Sequence, residues 1–177
     1  PKGDAPGDHV GISRTPEATR PIAMSNALAK LLAMAVNRSL APVAQQTVLD
    51  RQRCFIRGRS NTDNILETES MAIRFVQFYA GNSGIILFDF AAAFPSIAHD
   101  WIFRVLRAMA LPTFLIDLIQ RLYKDCAIEL LYGAESHEPF HANAGIKQGC
   151  PLSGTLFALA LDPFIRMLCL TIPKQLG

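Results

Sequence analysis

The sequence is short of charge. Only 18% of its 177 residues are Asp, Glu, Lys or Arg, while half are hydrophobic. That balance excludes a disordered segment, which would be polar and strongly charged. Cysteine is scarce as well. Cys54, Cys126, Cys150 and Cys169 include no C-x-x-C pair, and no secretory leader is expected before them. The expectation is a reduced intracellular protein of the nucleus or cytoplasm, not a secreted one. A long apolar run free of charge is also missing. The longest candidate, Leu152 to Leu170, holds Asp162 and Arg166, so it reads as a core helix rather than a membrane span, and no membrane partner is expected. No internal repeat is visible. With 11 Gly and 11 Pro, a collagen-like or low-complexity chain is excluded. What remains is a single domain, able to bury roughly 70% of its unfolded surface.

The charge that is present is segregated. Residues 1–60 carry nine Lys or Arg against four Asp or Glu, and residues 61–177 carry eight against eleven. An excess of +5 in the first third, facing −3 in the rest, suits an anionic partner. Residues 1–15 look irregular. The pattern then predicts a helix over 26–41, capped by Ser25 and disturbed or ended by Pro42. A second helix runs from a capping box at Ser60 to Asp63 as far as Tyr79, with Ile65, Ala72, Val76 and Tyr79 near one stripe. Gly81 to Gly84 reads as a turn. Further helices are expected at 99–109, 113–124 and 153–169, and a strand pair at 126–132 and 138–143. Mixed helices and strands without regular alternation point to an α+β fold.

Two segments carry candidate chemistry. Ile85-Ile-Leu-Phe-Asp89-Phe90 is an apolar run with one carboxylate near its end, the pattern of a strand covered on both faces. A carboxylate there needs a partner, because an unpaired buried charge is costly. Mg²⁺ is one such partner; a cap on the following turn is the other reading. Arg51, Arg53, Arg57 and Arg59 all occupy odd positions. An extended chain would put them on one face, suited to a phosphate backbone, or simply to solvent. His137 and His141 lack further ligands for zinc, and Trp101 reads as helix core.

Asp89-Phe-Ala-Ala-Ala-Phe94-Pro-Ser-Ile resembles motif A of reverse transcriptases of the non-LTR (LINE-like) retrotransposon and group II intron type. Three other segments agree in the family's order. Arg20-Pro-Ile22 before a helix with Lys30 resembles the first fingers motif. Phe55-Ile-Arg-Gly58-Arg59-Ser60-Asn-Thr-Asp63-Asn-Ile65 resembles the second. Gly145-Ile-Lys147-Gln148-Gly149-Cys150-Pro151-Leu-Ser153 resembles motif B. The resemblance implies a partial right-hand polymerase: fingers over 16–80, then an incomplete palm over 81–177 whose antiparallel sheet is backed by helices, with no thumb. It implies RNA-directed DNA synthesis on an RNA template and DNA primer from deoxynucleoside triphosphates.

The resemblance also implies roles. Asp89 and the Phe90 backbone carbonyl would hold Mg²⁺ or Mn²⁺. Arg20, Phe94, Gln148 and Gly149 would surround the nucleotide, with Phe94 excluding a 2′-hydroxyl. Arg51, Arg53, Arg57, Arg59 and Lys147 would contact nucleic acid. Two departures stand out. Pro95 replaces the Asp frequent after Phe94. No Asp-Asp pair, and so no Tyr-x-Asp-Asp motif, occurs in the 177 residues. The expectation is therefore a retroelement polymerase fragment that is inactive alone. The alternatives are a non-catalytic nucleic-acid-binding derivative of that fold, or an unrelated α+β protein-interaction domain.

Overall fold

The computed structural model describes residues 23–78, 86–124, 127–132 and 135–172. Arg20, the 1–15 segment and the Gly81–Gly84 turn lie outside them. Helix α1 spans Ala27–Thr47. Asn26 caps it, its side-chain oxygen accepting from the Ala29 N–H at 2.7 Å, so the cap falls one residue after the expected Ser25. Pro42 lies inside the helix and does not end it. An interior proline costs about 3 kcal/mol. Leu40, Ala44 and Val48 are buried on either side of it, and that burial offsets the cost.

Helix α2 (Asn61–Phe78) starts as expected, the Ser60 hydroxyl accepting from the Thr62 N–H at 3.3 Å. Its anticipated core stripe is not a core stripe. Ile65 and Val76 are 61% and 81% exposed. A short turn of helix, α3 (Ala93–Ser96), leads into α4 (His99–Ala108) and α5 (Thr113–Tyr123). The α4–α5 corner is a Schellman turn: the Ala110 N–H bonds Arg107 O and the Leu111 N–H bonds Leu106 O. Ala110 takes the left-handed position usually given to glycine, with φ of 54°. The last helix, α6, is Ser153–Thr171.

Four helices make the core. The α6 helix packs on α1 and α4, and α5 packs on α4 and α1. Leu40, Ile102, Leu106, Ile119, Leu152 and Leu156 are fully enclosed there. Small residues on the facing helices (Ala33, Ala44, Ala158, Ala160) are buried among them. Thus α1, from the expected fingers part, shares one core with the elements of the expected palm.

The strands are two-residue antiparallel ladders. β1 (Ala127–Ile128) pairs with β4 (Phe140–His141), and β2 (Leu131–Tyr132) with β3 (Glu135–Ser136). Between the ladders, residues 129–130 face residues 137–139. The extra residue is a bulge, and it accommodates Pro139, which has no N–H to offer a ladder.

The buried strand expected over 85–90 is not found. Residues 86–90 carry no regular structure, and Ile86, Leu87 and Phe88 are 78%, 85% and 76% exposed. An apolar run becomes a central strand only when strands flank it and layers cover it. Among the described residues nothing does either, and only the Phe90 ring finds a partner, edge-on to Phe164 of α6 at 5.9 Å. The architecture is helix-rich with small antiparallel strand pairs, compatible with α+β.

Candidate active site

Main-chain hydrogen bonds draw three separated segments together. Downstream of Phe94 the chain runs beside the loop before α6: the Ile146 N–H donates to Phe94 O at 2.9 Å, the Gly145 N–H to Ile97 O at 2.8 Å, and the His99 N–H to Asn143 O at 2.9 Å. From the other side, the Ala23 N–H donates to Gln148 O at 3.1 Å. Ala23 follows directly on Arg20-Pro-Ile22, so the chain just after that motif touches the Gln148–Gly149 turn, whose Gln148 is half-buried. Gly149 has φ of 96° and Gly145 of 102°, a region that favours residues without Cβ. A Cβ at Gly149 would meet only an ordinary contact, Ala23 O at 3.5 Å. Backbone conformation, not crowding, calls for that glycine.

Phe94 is half-buried beside this turn. Its ring stacks flat on Phe157 of α6, with centroids 4.3 Å apart and planes 5° apart. Phe157, which sequence reasoning placed only in a helix stripe, is thus the platform for Phe94. The signal was present: position 157 shares the inner face of α6 with Leu156 and Ala160.

Beneath the turn lies a support that the motifs do not announce. Ser153 donates to Lys147 O and Tyr123 donates to the Ser153 hydroxyl at 3.2 Å. His99, 2% exposed, donates from Nε2 to Gly145 O at 2.8 Å, which requires the Nε2–H tautomer; its Nδ1 is buried without a partner. The imidazole stands edge-on to the Tyr123 ring. Burial, with the Cys150 thiol alongside, pushes the Tyr123 phenol well above its ordinary pKa. Lys147 turns inward. Its ammonium donates to Leu122 O at 2.7 Å and lies 5.6 Å from the Tyr123 ring centroid, where the C-terminal end of α5 favours a cation. The side chain expected to contact nucleic acid is thus placed against α5.

The extended geometry expected of the arginine row is not found. Residues 50–60 are a succession of turns, not an extended strand, with Phe55 and Gly58 at φ of 61° and 79°. Alternation therefore does not place the four side chains on one face. Arg59 faces the end of α1, donating to the carbonyls of Gln45, Val48, Leu49 and Gln52 at 2.7–3.0 Å and to Asp50 at 3.2 Å. Arg53 bonds Asn64 at 2.9 Å and Glu67 at 2.5 Å. That hydrogen bond holds the Glu67 carboxyl below its usual range and raises the guanidinium's pKa. Arg51 and Arg57 remain exposed.

Asp89 is exposed too and joins no ion pair among the described residues. It offers a hard oxygen donor of the kind Mg²⁺ accepts. Yet no group of three or more His, Cys, Asp or Glu among the described residues could hold an ion. The described residues do not by themselves fit a two-metal centre.

A family model described as reverse transcriptase (RNA-dependent DNA polymerase) matches residues 1–174. The chain belongs to the reverse transcriptase family. It is 29% identical over 167 residues to the Retrovirus-related Pol polyprotein from type-2 retrotransposable element R2DM of Drosophila melanogaster, covering 93% of this chain and 15% of that protein. It is 26% identical over 155 residues to the Transposon TX1 uncharacterized 149 kDa protein of Xenopus laevis, covering 84% and 11%. A Pol polyprotein from the type-1 retrotransposable element R2 of Popillia japonica matches over 84 residues at 29%, covering 48% and 14%. The chain thus spans less than a sixth of these relatives' length. The non-LTR retrotransposon type read from the motifs agrees with them, and the reading as an unrelated α+β domain is removed. Reverse transcriptases work with RNA templates, nucleotides and divalent ions in general.

Proposed function

We propose that this reverse transcriptase domain forms the nucleotide-binding side of an RNA-directed DNA polymerase, as a partial right hand in which residues 16–80 act as fingers and residues 81–177 as part of the palm. The observation that carries the reading is the main-chain convergence of Ala23, Phe94 and Gln148. Ala23, the residue after the first of the family's nucleotide motifs, meets the segments of the other two although more than 120 positions separate it from Gln148. The sugar of an incoming deoxynucleoside triphosphate lies over Phe94 and its base beside Gln148 and Gly149; the phosphates are assigned to Arg20 on the family motif alone. Asp89 contributes one carboxylate toward the divalent ion, and the other ligands come from elsewhere in the protein. Arg51 and Arg57, exposed on the turn-rich loop, meet the template or primer backbone.

The test is primer extension on an RNA template by the protein carrying this domain with its flanking sequence. Asp89→Asn is expected to lower extension at least a hundredfold, the scale of losing a principal charge-stabilising group, while template binding persists. Extension unchanged by Asp89→Asn would sink the proposal. A second reading, template binding without catalysis, is favoured by the lone exposed carboxylate. It predicts no extension by the parent protein together with salt-dependent RNA binding that weakens when Arg51 and Arg57 are both changed to Ala.

A further inference from the structure

Phe55 is an anomaly on the arginine-bearing loop. Its backbone is left-handed, with φ of 61°, and its ring is 55% exposed. Bulky residues rarely accept the first, and the second forgoes burial. Neither serves stability, and strain of this kind concentrates where it positions something. The residues around it fix it firmly. Ile56 is buried in the core at 4% exposure, Gln52 donates to Ala158 O at 2.9 Å, and Arg59 ties the loop to the end of α1.

What Phe55 touches is the Phe94 ring. A flat stack such as Phe94 on Phe157 resists tilting but allows sliding, and an edge contact is what stops a slide. Phe55 supplies that edge to both rings, at 5.6 Å and 81° to Phe94 and at 6.2 Å and 78° to Phe157. Gly154 makes room for it. A Cβ there would lie 2.8 Å from Phe55 Cδ1, closer than real Cβ contacts come, and 3.0 Å from its Cβ and Cγ.

We propose that Phe55 is a positioning residue for Phe94, seated on Gly154, and that the loop of residues 49–60 thereby sets how strictly the site selects deoxyribose over ribose. The proposal rests on the reading of Phe94 as the sugar-contacting ring. Removing the Phe55 edge lets the Phe94 ring move along Phe157 and admits the 2′-hydroxyl.

The experiment compares kcat/KM for deoxynucleoside and ribonucleoside triphosphates in primer extension by the protein carrying this domain with its flanking sequence. Phe55→Gly retains the left-handed backbone and removes the ring; Gly154→Ala displaces the ring without removing it. Both are expected to lower the deoxy-to-ribo ratio about threefold to tenfold, the scale of one aromatic contact, with Phe55→Tyr restoring it. The loss lies in a raised kcat/KM for the ribonucleotide while kcat for the deoxynucleotide holds. A purely structural Phe55 would depress both nucleotides together, and an unchanged ratio in Phe55→Gly and Gly154→Ala overturns the proposal. Phe94→Val separates the two levels. If it lowers the ratio while the Phe55 and Gly154 changes do not, the sugar-contact reading stands and the positioning proposal fails. If Phe94→Val also leaves the ratio unchanged, both fail. A second measurement needs no activity: in the 177-residue chain labelled with 4-fluorophenylalanine, the ¹⁹F resonance assigned by Phe94→Leu moves in Phe55→Gly. A resonance that stays put counts against the proposal.

Discussion

Changing Arg59 to Ala separates two meanings of the arginine-rich loop. The side chain is 15% exposed and reaches two main-chain carbonyls at the end of α1, two more in the loop just beyond it, and Asp50. Carbonyls in the last turn of a helix have no intrahelical donor, so Arg59 acts as a side-chain cap for α1 and as the staple of the loop that follows. A hydrogen bond to a charged group contributes about 1.5–3 kcal/mol net, less where water can replace it. The Gln45 carbonyl and Asp50 are open to water, whereas those of Val48, Leu49 and Gln52 are partly buried. Arg59→Ala should therefore cost about 2–4 kcal/mol, a fall in Tm of roughly 5–15 °C for a domain of this size. Arg59→Lys, with a single ammonium in place of the fork, should lose about half as much. Thermal unfolding by circular dichroism reads the first number, and salt-dependent RNA binding reads the alternative. A Tm within 1–2 °C of the parent, about the effect of an ordinary surface change, together with weakened RNA binding would refute the staple and return Arg59 to the phosphate-contacting set.

Other consequences are separately measurable. Tyr123→Phe should flatten the alkaline limb of the stability curve. The native phenol's pKa is raised, so stability is full below the unfolded value near 10 and is lost as pH rises above it, by about 1.4 kcal/mol at pH 11; identical parent and variant curves from pH 9 to 11 would contradict the buried phenol. Ala110→Gly should raise Tm by a few degrees, about 0.5–1 kcal/mol, because glycine takes the left-handed Schellman position without a Cβ penalty; a lower Tm would count against that corner. Leu156→Ala, at a fully enclosed site on α6, should cost about 2–5 kcal/mol by denaturant titration, and a change under 1 kcal/mol would mean that the α1–α4–α6 contact is not the centre of the core.

Much of the helical framework is legible in the residues. The helices α4, α5 and α6 begin where their apolar periods begin and end within two residues of the expected ends, because the faces that bury their stripes lie within this same stretch of chain. Pro42 is misleading: local preference counts against it, and the tertiary burial of Leu40 and Ala44 outweighs that preference. The arginine row misleads for a different reason. Odd-numbered positions share a face only in extended chain, and the left-handed turns at Phe55 and Gly58 reverse the direction of the side chains between them. No composition signal marks a phenylalanine with positive φ. Lys147 looks like a free cation in a glycine loop, yet the carbonyl it answers belongs to α5, more than twenty residues earlier.

The largest difference concerns Asp89. Burial of the strand would oblige its carboxylate to find a partner, a divalent ion or the following turn, and an exposed carboxylate needs neither. With Ile86, Leu87 and Phe88 turned largely outward, hydration alone satisfies the charge, so any affinity of Asp89 for a divalent ion has to come from neighbouring carboxylates or substrate phosphates. The nucleotide reading does not depend on that step. It stands on Phe94, Gln148 and Ala23, joined through main-chain groups that every residue type except proline supplies. Side chains around the turn can therefore change while its hydrogen bonds persist. Selection of the sugar, as proposed, would depend by contrast on three aromatic rings and one glycine. Sequence change should therefore alter specificity at Phe55, Phe94, Gly154 and Phe157 well before it dissolves the site.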